Sequence, residues 1–355
     1  MASDDTKADV PGSPRGCPVR RFPLRLPENH KPPIARYSAA VTQAGNVAVL
    51  FLGLQSRAAD ELAEALAAFR ALQCDDAPIY SDQASFTDER GYLNRVIALY
   101  WLDTAAFGRW AQLPQVRKWR RHASRNVGIS WEPVVLDARR METISFSEFR
   151  RGFSGCPGMN MEPTIHSGYF GAARDRIPAA ADDAFEATAV LDASDSAGDR
   201  SYFRVQPPEN MAVIRSGVSW AACEGDQLKD YQERIRPKLD AGMEYLRKNP
   251  QESGCYSLRQ VTGVDGDEKA LAEGYSLGFF VSLEHLERWA KNHPTHLAIY
   301  ARAIAARKKY QDALQLRTYN EIFVVQKNNP PFEYFNCHPD TGLLPRMFQA
   351  CPGDA

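Results

Sequence analysis

The 355-residue sequence has almost no imbalance of charge: 43 Lys and Arg face 44 Asp and Glu, a net charge of -1. That removes the electrostatic case for a nucleic-acid partner or an anionic membrane surface. No apolar run reaches the length of a membrane span. Residues Met1 to Gly16 are polar, with Gly and Pro, and lack the apolar stretch of a secretory signal. They read as a disordered leader. Cysteine is sparse: Cys17, Cys74, Cys156, Cys223, Cys255, Cys337 and Cys351 are scattered, odd in number and without paired spacing. The pattern fits reduced thiols in a cytoplasmic protein better than a disulfide framework.

What is present is an ample apolar fraction and two similar stretches. Ala48-Val49-Leu50-Phe51-Leu52-Gly53-Leu54 and Ala212-Val213-Ile214-Arg215-Ser216-Gly217-Val218 both read as buried strands. Phe51-Leu52 in the first becomes Arg215-Ser216 in the second. A buried polar group is costly unless paired, so the change asks for a reason.

Taken in order, residues 1–45 form an irregular leader and wrap. Residues 46–136 read as strand (47–54), helix (Asp60 to Leu72), a polar loop, strand (Arg95 to Trp101), a short helix capped by Thr104, and strand (Val127 to Leu136). Residues 137–208 lack clean periodicity and read as an excursion covering one face. Residues 209–326 repeat the pattern. A strand at 211–218 precedes a helix from Gln227 to Lys248 that Pro237 should kink. Cys255 to Val261 and Gly274 to Val281 are strands, Ser282 to Asn292 a helix, and Asn320 to Val325 the last strand. Residues 327–355 form a C-terminal extension. Phe107-Gly108-Arg109-Trp110-Ala111 resembles Leu286-Glu287-Arg288-Trp289-Ala290, and Trp131-Glu132-Pro133-Val134-Val135 resembles the final strand. An internal duplication of split βαβ, ferredoxin-like modules is expected, within an α+β fold.

Positions that turn polar in one copy alone are the best clues to chemistry. Leu52 corresponds to Ser216, and Trp131 to Asn320. Alignment on Trp110 and Trp289 sets Arg117 opposite His296. His296 stands near the start of a helix opened by Pro294, ahead of an apolar stripe of Leu297, Tyr300, Ala301 and Ile304. A half-exposed helix-start histidine is the plain reading. His293 and His296 are spaced for a metal pair, yet no cysteine or carboxylate stands near, and a single imidazole in apolar surroundings also suits a haem ligand. Ser216 reads plainly as a small residue beside Gly217, and Arg174 as the ion-pair partner of a nearby carboxylate.

Several segments together resemble the haem-containing aldoxime dehydratases. They are Gly168-Tyr169-Phe170-Gly171 with Arg174-Asp175-Arg176-Ile177-Pro178, Ile214-Arg215-Ser216-Gly217, Thr295-His296-Leu297, and Phe335-Asn336-Cys337-His338-Pro339-Asp340-Thr341-Gly342-Leu343. The resemblance implies a haem b enzyme with a dimeric α+β-barrel fold, and a homodimer is expected. It implies conversion of an aldoxime to a nitrile and water, with the substrate nitrogen on ferrous iron. It makes His296 the haem and metal ligand, and Ser216 and Arg174 distal catalytic residues. One departure stands out. The family's distal histidine lies in a Tyr/Trp-His-Glu-Val/Ile strand, and here Tyr319-Asn320-Glu321-Ile322 carries asparagine. Asparagine can donate a hydrogen bond but cannot cycle a proton near neutral pH. Either another group, such as His338 or Glu321, does this work, or the reaction differs, or the asparagine is a deliberate change.

Overall fold

The computed structural model describes residues 20–72, 75–122, 126–188, 192–195 and 201–349. The leader, Cys17, Cys74 and Cys351 lie outside them. The strands in chain order are β1 (Arg36–Ala39), β2 (Asn46–Ser56), β3 (Tyr80–Thr87), β4 (Leu93–Trp101), β5 (Gly128–Asp137), β6 (Met141–Ile144) and β7 (Met161–Thr164). Then come β8 (Asp192–Asp195), β9 (Tyr202–Gln206), β10 (Ala212–Ser219), β11 (Cys255–Val264), β12 (Ala270–Phe280), β13 (Arg317–Val324) and β14 (Phe332–Phe335). The helices are α1 (Ala59–Arg70), α2 (Thr104–Gln112), α3 (Pro114–His122), α4 (Ala172–Arg176), α5 (Gly225–Asp230), α6 (Arg236–Lys248), α7 (Pro250–Ser253), α8 (Leu283–Asn292), α9 (Pro294–Tyr310) and α10 (Leu344–Gln349).

Strand β2 is apolar at nearly every position because it is buried on both faces. Val47, Val49 and Phe51 enter an inner core, while Ala48, Leu50, Leu52 and Leu54 pack beneath α1, α2 and α3. Each half of the chain lays its strands in the same order. The first reads β3-β4-β2-β5 and the second β11-β12-β10-β13. Thr262 to Val264 of β11 pair with Ser85 to Gln83 of β3, which joins the halves into one sheet. Strands β14, β9 and β8 extend it beyond β5, and β6 flanks β13, giving twelve strands among the described residues. The sheet curls back until the Phe51 and Phe323 rings, one from each half, lie 6.3 Å apart. The inner core therefore draws side chains from both halves, and helices cover the outer faces.

That inner core answers the question posed by Arg215. Its side chain takes the inward place that Phe51 holds in β2, and it is 1% exposed. Nη2 donates to Asp82 of β3 at 2.6 Å, and Nη1 to the Tyr100 hydroxyl at 2.7 Å. Glu321 closes the cluster, accepting from the Tyr100 hydroxyl at 2.9 Å and the Phe153 backbone N–H at 2.7 Å. A second interior pair joins Arg259 of β11 to Glu132 of β5 through two bonds of 2.5 and 2.6 Å.

Several local expectations change. The stretch read as a polar loop contains β3. Its pattern was hidden because the inward position beside Ala98 is held by Asp82, the counter-charge of Arg215. The excursion contributes β6, whose short length left no period to read. Asp103, not Thr104, caps α2, accepting from the Ala105 N–H at 2.8 Å. The long helix of the second half is divided near Pro237, which stands in the first turn of α6. A π-turn over Tyr231–Ile235 precedes it, so the missing N–H falls where the hydrogen-bond register is already changing.

Candidate active site

The register of the sheet sets out a polar row. Ser216 on β10 stands directly opposite Asn320 on β13 and, on its other side, Ser276 on β12. Gln260 on β11 continues the row beyond Ser276. In the first half the same places hold Leu52, opposite Trp131 on β5 and Ile97 on β4. The equivalences Leu52 with Ser216 and Trp131 with Asn320 thus agree with the backbone pairing. Directly paired residues present their side chains on one face, here the outer, helix-covered face.

The two rows are covered differently. In the first half Trp110 stacks on Trp131 with centroids 5.6 Å apart, and Leu52 is fully buried. In the second half Ser216 is exposed in the middle of its strand and Asn320 is half-buried. Trp289, the counterpart of Trp110, instead meets the His296 ring edge-on at 4.8 Å and donates to the Thr295 hydroxyl. The apolar stripe of α9 is not buried: Leu297 is 37% exposed, and Ala306 is the one buried residue of the helix. A sheet face and a helix stripe are both left open on this side. Ser216, Val218, Ser276, Leu258 and Gln260 line a cavity of about 680 Å³ that opens where β11 parts from β3. Among the candidates from sequence, Ser216 and His338 line this cavity, and Asn320, His296, Arg174 and Glu321 do not.

His296 is the third residue of α9. His293 is committed elsewhere, stacking on Tyr245 at 3.7 Å and capping the helix through the Thr295 N–H. These contacts of His293 weigh against a His293–His296 metal pair. Nor do three His, Cys, Asp or Glu side chains converge as for a metal ion anywhere among the described residues. The Nδ1 atom of His296 is buried with no hydrogen-bond partner. Burial lowers the pKa of the ring, while the Ala290 carbonyl raises it by a smaller amount, so the imidazole is neutral at pH 7. An imidazole with a buried, unclaimed nitrogen has the chemistry of a haem iron ligand. The residues present therefore fit a haem. Counted from the proline that opens each helix, its first-half counterpart is the buried Val116 rather than Arg117. The alignment slipped because one more residue separates Trp289 from Pro294 than separates Trp110 from Pro114.

The two arginines of the Arg174-Asp175-Arg176 stretch do different things. Arg174 grips Glu287 of α8 through Nε at 3.1 Å and Nη2 at 2.8 Å, and donates to the Ala184 carbonyl. Arg176 donates to Glu142 of β6 at 2.7 Å. Glu142 lies opposite Ile322, two places along β13 from Asn320 and on the same face. Burial raises the pKa of Glu142, opposed by Arg176 and Arg36. Its Oε1 is buried without a partner. Arg36 in turn bonds the Thr318 hydroxyl at 3.0 Å, two places from Asn320 in the other direction. A charged trio thus adjoins the Asn320 end of the row.

A sequence profile described as haem-containing dehydratase matches residues 51–343. The chain belongs to this family. It is 36% identical to the aliphatic aldoxime dehydratase of Pseudomonas chlororaphis, over 92% of this chain and 95% of the relative. It is 29% identical to the phenylacetaldoxime dehydratase of a Bacillus strain, over 90% and 93%. A crystal structure of an aldoxime dehydratase superposes with a TM-score of 0.84 at 33% identity, covering 92% of this chain and 95% of that one. Another, in complex with butyraldoxime, superposes at 0.83 with 31% identity, covering 92% and 93%.

In this haem-containing dehydratase the two substitutes weighed for the missing histidine part ways: Glu321 faces away from Asn320, and His338 lines the Ser216 cavity. Glu321 is its neighbour in the strand and so points the other way, into the inner core. His338 bonds Asp88 at 2.9 Å and rests on Tyr92. Sequence reasoning missed Ser276, Gln260, Glu142 and Arg176. For Ser276 the signal was there: setting Arg95 to Trp101 against Gly274 to Phe280 places it on Ile97.

Proposed function

We propose that this dehydratase converts alkyl aldoximes, R–CH=N–OH, to nitriles and water. His296 would hold the iron of its haem b, and Ser216 on the open sheet face would serve the substrate. The observation that carries the reading is the polar row of the uncovered half, set where the covered half has Ile97, Leu52 and Trp131. When bound, ferrous haem supplies a site for the oxime nitrogen and electron density towards it. The protein must then manage one bond and two protons. The N–O bond breaks, the hydroxyl leaves as water with an added proton, and a base takes the hydrogen from carbon.

Ser216 holds the oxime hydroxyl by hydrogen bonding. An arginine stabilises negative charge as it develops on the departing oxygen. Family resemblance assigns that role to Arg174; we place Arg176 there, because its partner Glu142 adjoins the row. Asn320 steadies the substrate by donation alone. Glu142, with one oxygen unclaimed and its place beside the Asn320 end of the row, is the group we assign to take up a proton. A second reading, a haem enzyme acting on another N–O or N–N substrate, is favoured by Asn320 itself. The four described cysteines are free, which supports work in a reducing cytoplasm, and we read the chain as a homodimer.

The test is an absorbance spectrum of the purified protein before and after dithionite, followed by anaerobic incubation with butyraldoxime and phenylacetaldoxime. A Soret band with nitrile formed by the reduced protein is expected. No Soret band overturns the haem reading, and a Soret band without nitrile leaves the second reading standing.

A further inference from the structure

We infer that Ser276 is a positioning residue for this reaction, donating its hydroxyl hydrogen to the oxygen of Ser216 so that Ser216 keeps its own hydrogen for the oxime hydroxyl. The inference rests on the aldoxime reading above.

Ser276 and Ser216 are direct cross-strand partners with side chains on one face. Such partners have Cβ atoms roughly 4.5–5.5 Å apart, within hydrogen-bonding reach for two serines. Ser276 is 7% exposed, and what it does expose lines the cavity shared with Ser216. The first-half equivalent, Ile97, is buried and apolar. A structural role at this place is thus met without a hydroxyl, and burying one unpaired carries a cost. The neighbouring acceptors are few. Strand β12 is paired on both sides, with β10 and β11, so its own backbone and theirs are engaged. On the far side Gln260 donates its amide nitrogen to Asp240 at 2.6 Å, which leaves its side-chain oxygen as the competing acceptor. Ser216 is the acceptor that lies towards the substrate side of the row. A hydroxyl that accepts a hydrogen bond becomes a stronger donor, which is what a poor leaving group needs.

The experiment compares Ser276→Ala and Ser276→Thr, each alone and combined with Ser216→Ala. Haem content is followed by the Soret band, and turnover with butyraldoxime as kcat and KM. The C–O stretch of the ferrous carbonyl complex is the third readout. Ser276→Ala should lower kcat about 5- to 10-fold, the worth of one hydrogen bond, with KM and haem content little changed. Ser276→Thr should retain most activity. The loss should vanish in the Ser216→Ala background, and the C–O stretch should move in the same direction for either alanine. Unchanged kcat and C–O stretch, or losses that multiply in the double variant, would overturn the inference. The first of these outcomes means that Ser276 donates to Gln260 instead. If the unaltered protein makes no nitrile, the functional reading fails, and the C–O stretch alone still decides whether the two serines are coupled.

Discussion

Asn320 stands directly across the sheet from Ser216, just as Trp131 stands across from Leu52. The pairing fixes Asn320 beside the residue we propose to hold the substrate hydroxyl. It also sets the expectation for restoring the histidine of the family strand. Asn320→His should raise aldoxime turnover and make the rate depend on pH near the histidine pKa. A positioned acid–base group contributes typically about 10²–10⁴-fold, and a pocket shaped around asparagine should return the lower part of that range or less. Nitrile formation against pH is the measurement. A slower, pH-independent variant would mean that Asn320 is tuned to a different substrate.

Loss of the imidazole at 296 should empty the protein of haem. For His296→Ala, Soret absorbance per protein should fall more than about tenfold, with partial recovery when imidazole is added. Normal haem content and an unchanged ferrous spectrum would exclude His296 as the ligand.

The two arginines separate cleanly. Arg176→Lys keeps the charge but loses the planar, several-donor grip, and should cost about 10²-fold or more in kcat/KM. Arg174→Lys loosens the tie to Glu287 and should mainly lower the melting temperature, with turnover within about threefold of the parent, since this tie joins α4 to α8 and is not made to the polar row. The opposite ranking returns the distal role to Arg174.

Glu321 ties stability to pH. Burial raises its pKa from 4.5 to about 7, with Arg215 pulling the other way. Between those values the folded state holds a proton that the unfolded state has released, so this group makes stability fall as pH rises from 4.5 through 7. Glu321→Gln lacks that contribution. Its stability relative to the parent should therefore improve between pH 5 and pH 8, by at most about 3 kcal/mol at roughly 1.4 kcal/mol per pKa unit. Denaturant midpoints at the two pH values measure it; parallel profiles would show that Glu321 keeps an ordinary pKa.

The sequence disclosed those parts of the site whose signal is a contrast between the halves. Ser216 and Asn320 were legible because their counterparts are large and apolar. His296 was legible as a ligand type but not in its register, since one added residue before Pro294 shifts the count. Strand β3 escaped because Asp82 breaks its apolar alternation, and β6 because four residues carry no period. The Arg176–Glu142 pair joins elements 34 residues apart, and nothing local in either segment announces the other. The open face around Ser216 was beyond reach, because a strand's sequence does not say which helix will fail to cover it.

The interior ion pairs carry a consequence for how the molecule holds together. Arg215 and Arg259 belong to the second half, and Asp82 and Glu132 to the first. Neither half is electrically complete. A fragment cut between them would keep guanidinium groups shaped for an apolar interior without their carboxylates. Breaking a buried pair by removing one partner typically costs about 3–5 kcal/mol. Two such pairs rival the stability of an ordinary domain. Repeated strand orders that look separable on paper are thus mutually obligate, and the chain should melt in one transition, with neither half surviving as a folded intermediate.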